Sequence, residues 1–164
     1  MKKLYLIRHA KSSWDNLLLE DIKRPLNARG KRDAPFMAKF MKKKINLPAL
    51  IVSSPAKRAL STAKKFSKQM EIKLNQDERL YFSGAHNIFK IISETPEKYE
   101  SLLLFGHNPT ITAMVNSFDG NSLANLPTAG IAEISLDIDS WNSFTPGEGN
   151  IQKVYFPKEL IKKH

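Results

Sequence analysis

Along this chain, short apolar runs alternate with segments in which apolar residues return every three or four positions. Leu4-Tyr5-Leu6-Ile7, Ala49-Leu50-Ile51-Val52 (within Pro48 to Ser53) and Leu102-Leu103-Leu104-Phe105 (after Ser101) are bounded by charged or turn-forming residues. Such runs are too short for useful helices and read as buried strands. The stretches between them carry helical spacing. From Asn27 to about Lys44 the pairs Phe36/Phe40 and Met37/Met41 define one apolar face, Asn27 is a natural N-cap, and Pro35 is expected to kink or divide the helix. From Pro55 to Met70 the face is Ala59, Leu60, Ala63, Phe66 and Met70, with Ser54 as the cap and Pro55 at the first helical position. Shorter helices are predicted from Asn87 to Glu94 (Ile88, Phe89, Ile91, Ile92) and from Pro109 to about Phe118 (Ile111, Met114, Val115).

Ile72-Lys73-Leu74 is a further short strand candidate, followed by a turn at Ser83-Gly84. Beyond a loop from Asn121 to Thr128, Ala129 to Leu136 and Ile151 to Phe156 read as two strands joined through a Gly- and Pro-containing turn region. Strands that are each followed by a helix predict an α/β fold: a single three-layer domain over residues 1–164, mainly parallel, with helices on both faces and the last two strands as a hairpin at one edge. No repeat or linker divides the 164 residues.

Composition narrows the chemistry. The sequence holds no cysteine, so disulfides, thiolate catalysis and thiolate metal sites are excluded, leaving His, carboxylates, hydroxyls and cations. A formal net charge of +10 favours anionic partners, and the lysines that dominate it, such as Lys42-Lys43-Lys44 and Lys64-Lys65, read first as solvated helix faces. No pattern for nucleic-acid recognition supports a DNA- or RNA-binding reading. The apolar runs are too short to span a membrane, and Met1-Lys2-Lys3 lacks a signal-peptide pattern, so a cytoplasmic protein is expected.

The candidate chemistry sits where the apolar runs stop. The first ends on Arg8-His9, the third on Gly106-His107-Asn108-Pro109, and Arg58 falls in the first turn of the helix after the second. A single charged strand end is usually ordinary surface. In a parallel sheet, however, the carboxyl ends of the strands share one edge, so these residues can converge. A cation in a first helical turn opposes the helix dipole and asks for an anion. Two histidines and two arginines without carboxylates suit an oxyanion better than a metal and would hold a phosphoryl group, with one histidine able to act as nucleophile.

With these residues in place the chain resembles the histidine phosphatase superfamily, also called phosphoglycerate mutase-like, and within it the small bacterial phosphohistidine phosphatases of the SixA type. The resemblance rests on Leu6-Ile7-Arg8-His9-Ala10-Lys11-Ser12, Arg24-Pro25-Leu26-Asn27-Ala28-Arg29-Gly30, Ser53-Ser54-Pro55-Ala56-Lys57-Arg58-Ala59 with Thr62-Ala63, and Gly106-His107-Asn108-Pro109. It implies that His9 attacks phosphorus and is transiently phosphorylated while Arg8, Arg58 and His107 bind the phosphoryl oxygens. It implies neither metal nor organic cofactor, and as partner either a phosphohistidine-bearing protein or a small phosphorylated compound. Asp21 and Arg24 match the family pattern too and are expected in an ion pair or site wall.

Two departures stand out. Ala10 occupies a position that is glycine in many relatives. The glutamate general acid of larger members has no counterpart in Leu80-Tyr81-Phe82-Ser83-Gly84-Ala85-His86-Asn87. His86 is a candidate proton donor in its place, against the plainer reading of an exposed loop histidine; Asp77 and Glu78 are further candidates. The competing functions are a small-molecule phosphomonoesterase of the same family and a non-catalytic phosphoryl- or nucleic-acid-binding module.

Overall fold

The computed structural model describes residues 1–81, 84–118 and 122–163. The expected turn residue Ser83 and the first residue of the expected loop, Asn121, lie outside them.

Four strands run parallel: β1 (Lys2–Arg8), β2 (Ala49–Ser53), β3 (Lys73–Gln76) and β4 (Ser101–Gly106). They are joined by α1 (Ala28–Met41), α2 (Lys57–Met70) and α3 (Ala85–Ser93). After α4 (Thr110–Asn116), β5 (Ile131–Leu136) and β6 (Asn150–Tyr155) form an antiparallel hairpin, and α5 (Pro157–Lys163) closes the chain. The sheet order is β3-β2-β4-β1-β5-β6. The mainly parallel three-layer α/β arrangement and the hairpin at one edge are therefore as expected from the apolar pattern.

Alternation along the central strands sorts side chains to two cores. Leu4 and Leu6 of β1, Leu102 and Leu104 of β4, and Leu50 and Val52 of β2 face α3 and α4, packing with Ile92, Met114 and Trp141. Tyr5, Ile7, Leu103, Phe105 and Ile51 face α1 and α2, packing with Met37, Met41 and Phe66. Strands covered on both faces must be apolar throughout, which is why they read as unbroken runs. The edge strands β3 and β6 are mostly exposed, and β3 is only four residues long, the usual protection against edge-to-edge pairing.

Several local details depart from the sequence reading, α5 among them. Pro35 lies inside α1 without dividing it. Both Pro35 and Lys31, whose carbonyl loses its helical donor, are exposed, so solvent can reach the orphaned group. The second helix begins at Lys57, and Ser54 is not its cap; the Ser54 hydroxyl accepts from the Ala56 amide at 3.2 Å and turns toward β4. The helix predicted from Pro109 to Phe118 is trimmed to α4, with Pro109 in the capping position. Asn27 caps α1 as expected, its side chain accepting from the Gly30 amide at 2.9 Å.

Candidate active site

The sheet carries its chemistry at one edge because β1 and β4 are neighbours in register, Arg8 opposite Gly106. The chain leaving β1 is held from several sides. The His9 amide donates to the Gly106 carbonyl at 3.2 Å, and the Ala129 amide donates to the carbonyls of Arg8 and His9 at 3.1 Å each. Ala129 does so with φ of 60°, a left-handed backbone that costs a non-glycine residue roughly 1–2 kcal/mol and is tolerated here at the site. Behind His9, the Ala10 amide donates to Thr62 Oγ1 at 3.0 Å, and Gly30 packs so closely on the Lys11 backbone that a side chain would collide with it. Thus α1 and α2 both grip the loop that carries His9.

His9 is 7% exposed. Its Nδ1 lies 2.7 Å from the Ala10 carbonyl oxygen. A carbonyl can only accept, so Nδ1 carries the hydrogen and the neutral ring keeps its lone pair on Nε2. Burial pushes the His9 pKa down to about 3, against the pull of the Ala10 bond and with His107, Arg58 and Arg8 adding to the depression. His107 sits with its ring centre 5.1 Å away. Burial, then Arg58, bring its pKa down to about 4 despite the opposing charge of Asp21. Here the pinned atom is Nε2, 2.8 Å from Ser54 Oγ.

The arginines are oriented by the protein rather than by solvent. Arg58 is 6% exposed and donates from Nη1 to the Asp21 carbonyl at 2.8 Å and from Nη2 to Asp21 Oδ2 at 3.0 Å. Asp21 also accepts from Tyr81 Oη at 2.7 Å and from Arg24 Nε at 3.2 Å. Burial alone would raise its pKa, but these donors outweigh it and hold Asp21 at about 2. Arg24 further donates to Ser12 Oγ and the Ser13 carbonyl. Arg8 donates from Nη1 to the Leu126 carbonyl at 3.0 Å. Asp21, Arg58, Tyr81, His107 and Asn108 line a cleft of about 530 Å³.

Among the described residues, four buried side-chain nitrogen or oxygen atoms have no hydrogen-bond partner in the protein. Three of them are Arg8 Nε, Arg58 Nε and His107 Nδ1. Orphaned buried polar atoms are costly, and three of these four fall on residues expected from the sequence to bind a phosphoryl group.

The sequence profile of the histidine phosphatase superfamily (branch 1) matches residues 4–81. An uncharacterised chloroplastic protein of Arabidopsis thaliana is 32% identical over 85% of this chain and 69% of its own. The chain belongs to the histidine phosphatase superfamily. SixA-type members are among the solved structures it resembles over its whole length: a protein assigned as the phosphohistidine phosphatase SixA of Agrobacterium tumefaciens superposes with a TM-score of 0.81 at 25% identity, covering 95% of this chain and 98% of that one. A protein histidine phosphatase SixA complexed with tungstate has the same fold, with a TM-score of 0.81 at 22% identity over 96% of this chain and 99% of that one.

Of the residues singled out in the sequence, Arg8, His9, Arg58 and His107 gather at the one edge, and Asp21 with Arg24 forms the ion-paired wall. His86 does not join them: it stands exposed on the first turn of α3. Asp77 is held by Arg79 through both carboxylate oxygens, which lowers its pKa, and Glu78 is exposed. Nothing local in the sequence marks Tyr81 or Ser54 as a site residue. Tyr81 stands in the stretch where the glutamate is missing and packs edge-on to His107 at 5.6 Å. Ser54 looked like a helix cap. Among the described residues no group of three or more His, Asp or Glu side chains gathers as a metal site, and no helix is long and apolar enough to cross a membrane.

Proposed function

We propose that this phosphatase works through a covalent phosphohistidine on His9 and that its substrate is phosphohistidine on a protein. In the first step His9 Nε2 forms a bond to phosphorus as the bond from phosphorus to the substrate nitrogen breaks. In the second, water attacks the phosphorus, the bond to Nε2 breaks, and inorganic phosphate leaves with His9 restored. Arg8, Arg58 and His107 would bind the phosphoryl oxygens and stabilise the charge that develops on them. The observation that carries this reading is the set of partnerless buried nitrogens Arg8 Nε, Arg58 Nε and His107 Nδ1 beside a histidine whose lone pair is fixed on Nε2.

The substrate class follows from what surrounds the leaving group. An alkyl alkoxide needs a proton as it departs, whereas a phosphohistidine ring protonated on its far nitrogen departs as neutral imidazole. The nearby carboxyls are poor acids: Asp21 is held at about 2, and Asp77 is kept ionised by Arg79. The chain between β3 and β4 is short and α3 takes more than a third of it, leaving little to close over a small substrate. An open cleft suits a side chain presented on a protein surface.

The test is kcat/KM for a phosphohistidine peptide against that for 3-phosphoglycerate and other alkyl phosphates. The peptide is expected to win by at least tenfold, about 1.4 kcal/mol in transition-state binding. Alkyl esters winning by the same margin would sink the substrate assignment.

A further inference from the structure

Ser54 follows directly on β2 and is fully buried. Its amide donates to the Phe105 carbonyl of β4 at 3.0 Å, so its backbone is tied to the strand that runs into His107. The hydroxyl has two neighbours. Oγ accepts from the Ala56 amide at 3.2 Å and lies 2.8 Å from Nε2 of His107. A backbone amide can only donate, so the first contact uses a lone pair of Oγ and leaves the hydroxyl hydrogen to be placed.

Two arrangements of the His107 contact remain, and they differ in cost. If Nε2 donated, Oγ would accept twice, and among the described residues the Ser54 hydrogen would have no acceptor in a fully buried position. A buried donor left unpaired bears its whole desolvation penalty. If Ser54 donates, the hydroxyl both accepts and donates, and Nε2 is satisfied as an acceptor. The ring is neutral, because burial and then the Arg58 charge disfavour the imidazolium. Its one hydrogen must then sit on Nδ1, the buried nitrogen that has no partner in the protein. His107 lines the cleft with Arg58. Toward a phosphoryl oxygen an N–H is attractive, whereas a bare ring lone pair would be repelled.

We propose that Ser54 is a positioning residue that relays a hydrogen bond from the start of α2 to His107 and so holds this histidine as an Nδ1–H donor to the phosphoryl group. The inference rests on the reading above in which His107 binds the phosphoryl oxygens. The chain runs from the Ala56 amide to Ser54 Oγ, from the Ser54 hydroxyl to His107 Nε2, and from Nδ1–H to the substrate, each donor polarising the next. Ser54 acts through His107 alone.

Nitrogen-15 NMR of the imidazole groups reads the tautomer directly. The sequence holds four histidines, and the His107→Ala variant identifies the His107 signals by their loss. Near neutral pH the wild-type hydrogen is expected on Nδ1. A hydrogen on Nε2, or an imidazolium carrying both, overturns the proposal. Turnover of an aryl phosphate tests the consequence. Ser54→Ala should lower kcat about tenfold, since a donor to the transition state loses its tautomer and its aim. Placed in the His107→Ala background, the same substitution should cost less than about twofold, because nothing is left for Ser54 to position. Equal losses in the two backgrounds overturn the relay, since Ser54 would then only support the packing at the start of α2. So does a Ser54→Ala enzyme with wild-type kcat. A His107→Ala variant that keeps full activity removes the reading on which the inference rests, and the inference with it. A crippled His107→Ala variant beside a wild-type hydrogen on Nε2 removes the inference alone.

Discussion

The two histidines of the site stand at equivalent junctions, one after β1 and one after β4, and are pinned through opposite ring nitrogens. His9 is fixed through Nδ1 to its neighbour's carbonyl, which leaves Nε2 as the free lone pair. His107 is fixed through Nε2 to Ser54, which leaves Nδ1 buried and without a partner. Both are kept neutral by burial. The same residue type at the same kind of strand end thus differs by a single hydrogen bond. A carbonyl partner fixes the tautomer and leaves the lone pair on the other nitrogen, as the proposed nucleophile needs, whereas a hydroxyl partner can donate or accept and by itself leaves the tautomer open.

Substituting the two histidines breaks the comparison most sharply. His9→Ala should abolish turnover, by on the order of four decades or more, since it removes the proposed nucleophile. Far-ultraviolet circular dichroism should confirm that the fold survives. His107→Ala should lose about 10²–10³ in kcat, the scale for one preorganised donor to a developing oxyanion. Equal losses at the two positions would erase the distinction between attacker and binder.

Asp21→Asn probes the wall that orients Arg58. The Asp21 side chain is 42% exposed, so after screening the stability cost should be on the order of 1 kcal/mol in urea unfolding. Activity should fall about tenfold, a loss of roughly 1.4 kcal/mol in transition-state stabilisation, because Arg58 keeps its bond to the carbonyl of residue 21 but loses the carboxylate that fixes its second nitrogen. Unchanged kinetics would show that Asp21 only fills the wall.

The smallest effect is on stability against pH. An unfolded histidine titrates near 6.5, whereas His107 is held at about 4 and His9 at about 3. The unfolded chain therefore binds more protons in this window, and stability should fall as pH drops from about 6.5 toward those values. His107→Asn should make the slope shallower between about pH 6.5 and 4, by at most about 1.4 kcal/mol per pH unit, read from urea midpoints. An unchanged slope would mean that burial does not hold His107 neutral.

What was legible in the sequence is what depends on neighbours along the chain. The strands β1, β2 and β4 were visible because strands buried on both faces are apolar without interruption, and the cap at Asn27 because capping is local. Arg8, His9, Arg58 and His107 were legible because parallel strands bring their carboxyl ends together. The roles of Tyr81 and Ser54 were not, since each is defined by a partner far away: Tyr81 by Asp21, Ser54 by His107. Helix α5 escaped because seven mostly polar residues carry no reliable period; Pro157 is buried and Leu160 packs, partly buried, against the core beside α1. Pro35 misled because the cost of a helical proline depends on whether the orphaned carbonyl meets water, and that is a property of the fold.

The most direct measurement is to trap the phosphorylated enzyme and locate the phosphorus by ³¹P and ¹⁵N NMR. The hydrogen bond from His9 Nδ1 to the Ala10 carbonyl predicts an acid-labile, alkali-stable phosphoenzyme with phosphorus on Nε2 of His9. Phosphorus on Nδ1 of His9, or on His107, would contradict the assignment of nucleophile and binder, and release of phosphate with no phosphoenzyme under single-turnover conditions would contradict covalent catalysis altogether.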